Sequence, residues 1–180
     1  MTTASSRSVE LSTVQQLAIR RWKGGHHAFH VLLVAMNTRL NRVCELLDSG
    51  EYDTAAPLLD ELAGLYRGAT ALMRYASDFR AADYDTLVRP SMMPPFASPG
   101  FSGLANQDHA IMLDRMARLR AAVSRDERAS DRVRAAGARL SVAQKDNRAS
   151  HMLVCRRFVP DGQSLLRDFF RQRREQGDLR

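Results

Sequence analysis

The sequence predicts an all-α helical bundle, on three observations. Apolar residues recur three and four apart over most of the chain, no stretch of useful length alternates in the manner of a strand, and glycine or proline clusters close the periodic stretches. A chain of 180 residues with 44% hydrophobic and 26% charged residues suits one folded domain with a continuous core. The small, polar residues 1–8 are expected to be a disordered N-terminal segment, and residues 9–175 a single helical domain.

The elements follow in order. Leu11, Val14, Leu17, Ala18 and Trp22 have helical spacing, and Gly24-Gly25 predicts the end of a first helix. From His26 to Leu47 a second carries Phe29, Leu32, Leu33, Met36, Leu40, Val43 and Leu47 on one stripe, closed by Asp48-Ser49-Gly50. A third spans Asp53 to Phe79, with Asp53 and Thr54 as candidate caps, Pro57 tolerated near its start, and Leu59, Leu62, Leu65, Leu72 and Met73 facing the core. The character changes between Ala82 and Asn106: residues 89–103 hold four prolines and two glycines, which predicts an ordered apolar loop over a site. Further helices are expected over Gln107–Val123 and over Asp126–Val159, the latter interrupted at Gly137 and stopped by Pro160-Asp-Gly162. A short terminal helix completes the pattern at Gln163–Arg173.

Cys44 and Cys155 are too few and too far apart for a disulfide framework, which points to a reducing compartment. Without an apolar leader or a run long enough to span a membrane, the chain reads as cytoplasmic with no membrane partner. The net charge of +7 is largely arginine. Acidic residues interleave with most of the arginine clusters and no DNA-binding motif spacing occurs, so nucleic acid is not the favoured partner.

The motif that carries chemistry is His151-Met-Leu-Val-Cys155. Residues four apart share a helix face, so an imidazole and a thiol stand together there. That arrangement suits heme, with His151 ligating the metal and Cys155 reaching the same ring system to tether it covalently. A single axial histidine leaves the opposite coordination position open. His26, His27 and His30 are candidate acid–base groups for that open side. His26 and His30 share a face while His27 points about 100° from His26, so at most two of the three serve one pocket. A zinc site on His26 and His30 has the spacing but lacks a third ligand.

Three segments in order resemble the tryptophan 2,3-dioxygenase superfamily of histidine-ligated heme enzymes. His26-His-Ala-Phe-His-Val-Leu-Leu33 is similar to that superfamily's distal-histidine helix, with His27 where the family has glutamine. Leu72-Met-Arg-Tyr-Ala-Ser-Asp-Phe79, leading to Arg89 and Pro99-Gly-Phe-Ser-Gly103, is similar to its substrate segment. His151, then Arg157 and Asp161-Gly-Gln-Ser164, is similar to its proximal-histidine helix and following turn, and the HxxxC spacing resembles that of heme-dependent tyrosine hydroxylases. The resemblance implies a reduced version of that helical fold, heme iron on His151, a thioether at Cys155, and Arg157 beside the cofactor. It further implies Arg89, Phe101 and Ser102 at an aromatic amino acid, oxidised with dioxygen or hydrogen peroxide, in a homodimer or higher homo-oligomer. Tyr75, Phe79, Phe101 and Trp22 are the expected aromatic wall. His109, beside Asp108, reads as local structure or a supporting residue. Two other classes compete: a non-catalytic heme-binding bundle, and a basic nucleic-acid-binding bundle without cofactor.

Overall fold

The computed structural model describes residues 10–92, 106–125 and 130–159, with the side chains of 124 and 125 excepted. The expected N-terminal segment, most of the Pro-rich stretch with Phe101 and Ser102, the turn at 161–164 and the helix at 163–173 lie outside the described residues. No strand occurs among the described residues, and the all-α expectation holds.

Helix α1 (Thr13–Asp48) opens on a capping box, in which the Ser12 side chain accepts from the Gln15 amide while the Gln15 side chain accepts from the Ser12 amide. It closes at Ser49, followed by Gly50 at a φ of 78°, a left-handed position that glycine adopts without strain. Two helices were expected here, broken at Gly24-Gly25, but α1 runs through both glycines. Each costs a helix about 1 kcal/mol against alanine. Gly25 is buried against Ala76, where an added Cβ would lie only 2.5 Å from the Ala76 Cβ. The glycine that looks like a helix breaker is therefore a contact point between helices.

Helix α2 (Tyr52–Ala76) begins at Glu51, without a side-chain cap, rather than at Asp53 or Thr54. Pro57 is exposed on its outer face, so the missing amide donor leaves a carbonyl facing water rather than core. Next, α3 (Ala81–Asp83), a π-helical turn (Tyr84–Val88) and α4 (Arg89–Ser91) follow one another directly. This helical run corrects the expectation of a non-helical segment from Ala82. Pro90 sits in the first positions of α4, where a proline's missing donor costs least. Helix α5 (Gln107–Arg125) has Asn106 accepting the His109 amide through its side chain. Helix α6 (Asp131–Phe158) is capped by Ser130 and passes Gly137 without a break.

The four long helices form the bundle. Helix α2 packs chiefly on α1 and α6, and α5 packs chiefly on α1. Leu33, Met36, Leu40, Val43 and Leu46 of α1 meet Leu59 and Leu62 of α2, Met116 and Leu119 of α5 and Val133 and Leu140 of α6 in one core. Cross-links fix the directions. Ser130 bonds Asp53, Arg139 bonds Asp60 and Asn147 bonds Thr70, so α6 runs parallel to α2. Asp108 O accepts from Asn37, and Arg115 and Arg118 act on Cys44, so α5 runs parallel to the second half of α1. A smaller cluster of Ala18, Phe79, Tyr84, Val88 and Phe158, with Trp22 against it, closes the other end.

Candidate active site

At 1.5 Å per residue α1 is about 54 Å long and α5 about 28 Å, so α5 runs alongside only about half of α1. Asn37 and Cys44 mark the face of α1 turned toward α5. His30 and His26 lie about two and three turns earlier on that same face, beyond the start of α5. On α6, Gly137 rests against Val123 of α5 and marks the facing side. His151 and Cys155 follow on that side about four and five turns along. His26 and His30 of α1 and the α6 histidine–cysteine pair thus each lie on the face turned toward α5, with Asp108 near His30 and His109 near His151 at the start of α5.

Each group has its own chemistry. The His26 Nδ1 lies 2.7 Å from the Trp22 carbonyl oxygen, which can only accept, so Nδ1 carries the proton and Nε2 is the basic nitrogen. Burial holds its pKa below the usual 6.5, opposed by the Trp22 carbonyl and reinforced by His27. His27 is exposed and turned away. His30, also exposed, stands 4.0 Å from an Asp108 oxygen at the start of α5. On α6, Cys155 Sγ lies 3.6 Å from Nδ1 and 3.9 Å from Nε2 of His151. Partial burial pushes the Cys155 thiol up and the His151 imidazole down from their usual values. Both are therefore neutral near neutral pH: an imidazole free of a competing proton and a thiol rather than a thiolate.

His109, expected to be a supporting residue, lies close enough to His151 for its charge to act there, and burial with that charge lowers its pKa. Of the expected aromatic wall, Phe79 is buried and Trp22 half-buried in the end cluster, whereas Tyr75 is 49% exposed under Arg21 and walls nothing. Tyr84 and Phe158 were not foreseen. Tyr84 lies within electrostatic reach of Cys155, and its ring stacks on Phe158 at 4.8 Å and meets Trp22 at 5.8 Å. The signal open to sequence reasoning was weak, since Tyr84 sits in a π-turn that breaks the 3.6-residue period.

The two arginines stand apart from this centre. Arg157 donates to the carbonyls of Ser77 (3.2 Å) and Phe79 (2.6 Å), so it caps the end of α2 rather than pointing into the space between α1 and α6. Arg89 is helical rather than part of a loop, and faces Asp85 one turn earlier at 3.7 Å, an exposed and loose pair. Phe101 and Ser102 lie outside the described residues. Among the described residues no group of three or more His, Cys, Asp or Glu is placed to hold a bare metal ion. Heme makes a smaller demand, because its ring supplies four of the iron's ligands and one imidazole completes the protein's share. The donor set therefore fits heme better than zinc.

A family model described as SfmD 3-methyl-L-tyrosine peroxygenase matches residues 2–146. The 3-methyl-L-tyrosine peroxygenase of Streptomyces lavendulae is 36% identical over 155 residues, which cover 82% of this chain and 40% of that protein. The chain thus spans about two fifths of the length of that relative. No solved structure matches. The family match takes in the α1 histidines, Trp22, Tyr84 and His109, and ends short of His151. It covers most of the sequence and runs through three of the four long helices into the last, and on that ground the chain belongs to the SfmD 3-methyl-L-tyrosine peroxygenase family.

Proposed function

We propose that the chain is a heme-dependent peroxygenase that hydroxylates the ring of an aromatic amino acid of the tyrosine type in a biosynthetic pathway. One observation carries the reading: in a chain of this family, α6 pairs His151 with Cys155 at 3.6 Å, and His109 at the start of α5 lies within electrostatic reach of His151. His151 would hold the heme iron, its imidazole being kept neutral by burial. Cys155, a protonated thiol one turn along, is placed to become a thioether to the same ring system. Bound there, heme supplies oxygen-atom transfer from peroxide to an aromatic ring.

The other side chains handle protons and orientation. His26 Nε2 takes a proton from hydrogen peroxide and returns it to the departing water oxygen, a task suited to an imidazole whose pKa burial keeps below 6.5. His27 points elsewhere, and His30 is turned toward Asp108, so His26 is the acid–base group of the three. Arg89 is the carboxylate-binding residue, because its loose pair with Asp85 yields to a bidentate carboxylate at little cost. Phe101 and Ser102 complete the substrate contacts in this reading. Histidine ligation of the tryptophan 2,3-dioxygenase type and a homodimer that walls the open side beyond α5 belong to the same proposal.

The test is an alkaline pyridine hemochrome spectrum taken after acid extraction of protein expressed with a heme precursor. Retained bands, shifted to the blue of free heme, support a thioether at Cys155. Heme that is bound before extraction and lost by it removes the tether while leaving the histidine-ligated site. A colourless protein sinks the heme reading as a whole.

A further inference from the structure

The single tryptophan of this chain, Trp22, sits against His26 with ring centroids 4.1 Å apart. Its other neighbours are Tyr84 at 5.8 Å and Phe79 at 6.3 Å. Tyr84 is 9% exposed and opens a π-helical turn that buries it together with Val88, and such turns concentrate at functional positions because they re-aim a side chain. Of the rings in this cluster only tryptophan and tyrosine give up an electron readily; Phe79 and Phe158 pack around them without doing so. Tyr84 also reaches Cys155 electrostatically, so the pair reaches both His26 and Cys155. Burial pushes the Tyr84 phenol up, which keeps its proton in place until an electron leaves. Trp22 is half-buried and so keeps part of its surface in solvent.

On the reading that this site holds heme, we propose that Trp22 and Tyr84 form a redox relay that drains oxidising equivalents from the site when peroxide arrives without an aromatic substrate. The balance closes on these two residues. Hydrogen peroxide needs two electrons and two protons to break its O–O bond and leave as two molecules of water. Tyr84 supplies one electron with its phenolic proton, and Trp22 one electron with its indole proton, leaving a tyrosyl and a tryptophanyl radical. A small one-electron donor such as ascorbate refills the relay at the exposed part of Trp22. The relay spares the cofactor from oxidation. The remaining tyrosines do not substitute for it: Tyr52 packs against the main core at the start of α2, Tyr66 is buried in that core against Met112, and Tyr75 lies on the surface under Arg21.

The experiment uses the full chain loaded with heme, mixed with hydrogen peroxide in the absence of substrate, frozen rapidly and examined by electron paramagnetic resonance. Protein carrying ring-deuterated tyrosine, or indole-deuterated tryptophan, is examined alongside Tyr84→Phe and Trp22→Phe. The expected result is an organic radical signal that narrows with each label, loses its tyrosyl part in Tyr84→Phe, and is accompanied by faster bleaching of the heme band in both variants. A signal that neither label changes, or a tyrosyl signal that survives in Tyr84→Phe, overturns the relay while leaving the heme site intact. Failure of the chain to take up heme overturns the proposed function, and the relay with it. Should Trp22→Phe not fold, the labelled unsubstituted protein alone decides.

Discussion

His26 illustrates how much of the site's chemistry one backbone contact determines. Because Trp22 O holds the Nδ1 proton, Nε2 is basic, and because the ring is partly buried next to His27, its folded pKa lies below the usual 6.5. Between those two values the unfolded chain holds a proton that the folded chain does not. Folding is therefore opposed as pH falls below about 6.5, and the contribution is complete above that value. The thermal midpoint of the heme-free protein should drop on acidification from neutral pH through that window, and His26→Gln should drop less. Equal slopes for the two proteins would show that His26 carries no part of the pH dependence. On α6, His151→Ala should abolish the axial-histidine spectrum. Cys155→Ala should keep that spectrum while its heme becomes extractable by acid, which absorption before and after extraction will show. Loss of heme from Cys155→Ala before extraction would mean that the thiol, not the imidazole, dominates retention.

At the scale of elements, the adjacent glycines of α1 separate two physical effects that the sequence cannot distinguish. Nothing lies within 4 Å of a Cβ added at Gly24, whereas one at Gly25 meets the Ala76 Cβ at 2.5 Å. Gly24→Ala should raise stability by about 0.5–1 kcal/mol through the unfolded chain's lost freedom. Gly25→Ala should lower it by about 1–3 kcal/mol through overpacking between α1 and α2. Urea denaturation measures both, and the same sign for the two changes would contradict this account of α1. The core faces of the long helices were legible, because Leu33, Met36 and Leu40 on α1 and Leu59 and Leu62 on α2 repeat at the helical period and are buried. Gly24-Gly25 was misread because a tertiary contact outweighs a local propensity. The run from Ala81 to Ser91 was misread because a proline near a helix start resembles a breaker. Tyr84 and Phe158 were missed because Tyr84 meets Trp22, and Phe158 meets Tyr84, only through long-range packing, which no local period encodes.

For the whole molecule, the length mismatch between α1 and α5 matters most, because α5 runs beside only about half of α1 and begins at the level of His30. The sequence placed His26 and His151 on separate helices, but how those helices are arranged depends on the parallel pairing of α6 with α2, set by contacts such as Asp60 with Arg139. A ligand held by α6 and approached by α1 ties these two elements together only in the folded state. If heme binds as proposed, linkage requires that it stabilise the chain, by about 2.7 kcal/mol at a free concentration one hundred times its dissociation constant. The thermal midpoint should rise steadily with added heme, and the rise should vanish in His151→Ala but survive in Arg157→Ala, whose guanidinium is spent on the Ser77 and Phe79 carbonyls. Arg157→Ala should instead lower the midpoint equally with and without heme, since it loosens the junction of α2 and α6 in both states. If the heme-dependent rise disappears in Arg157→Ala and persists in His151→Ala, the ligand binds at the end of α2 rather than between α1 and α6.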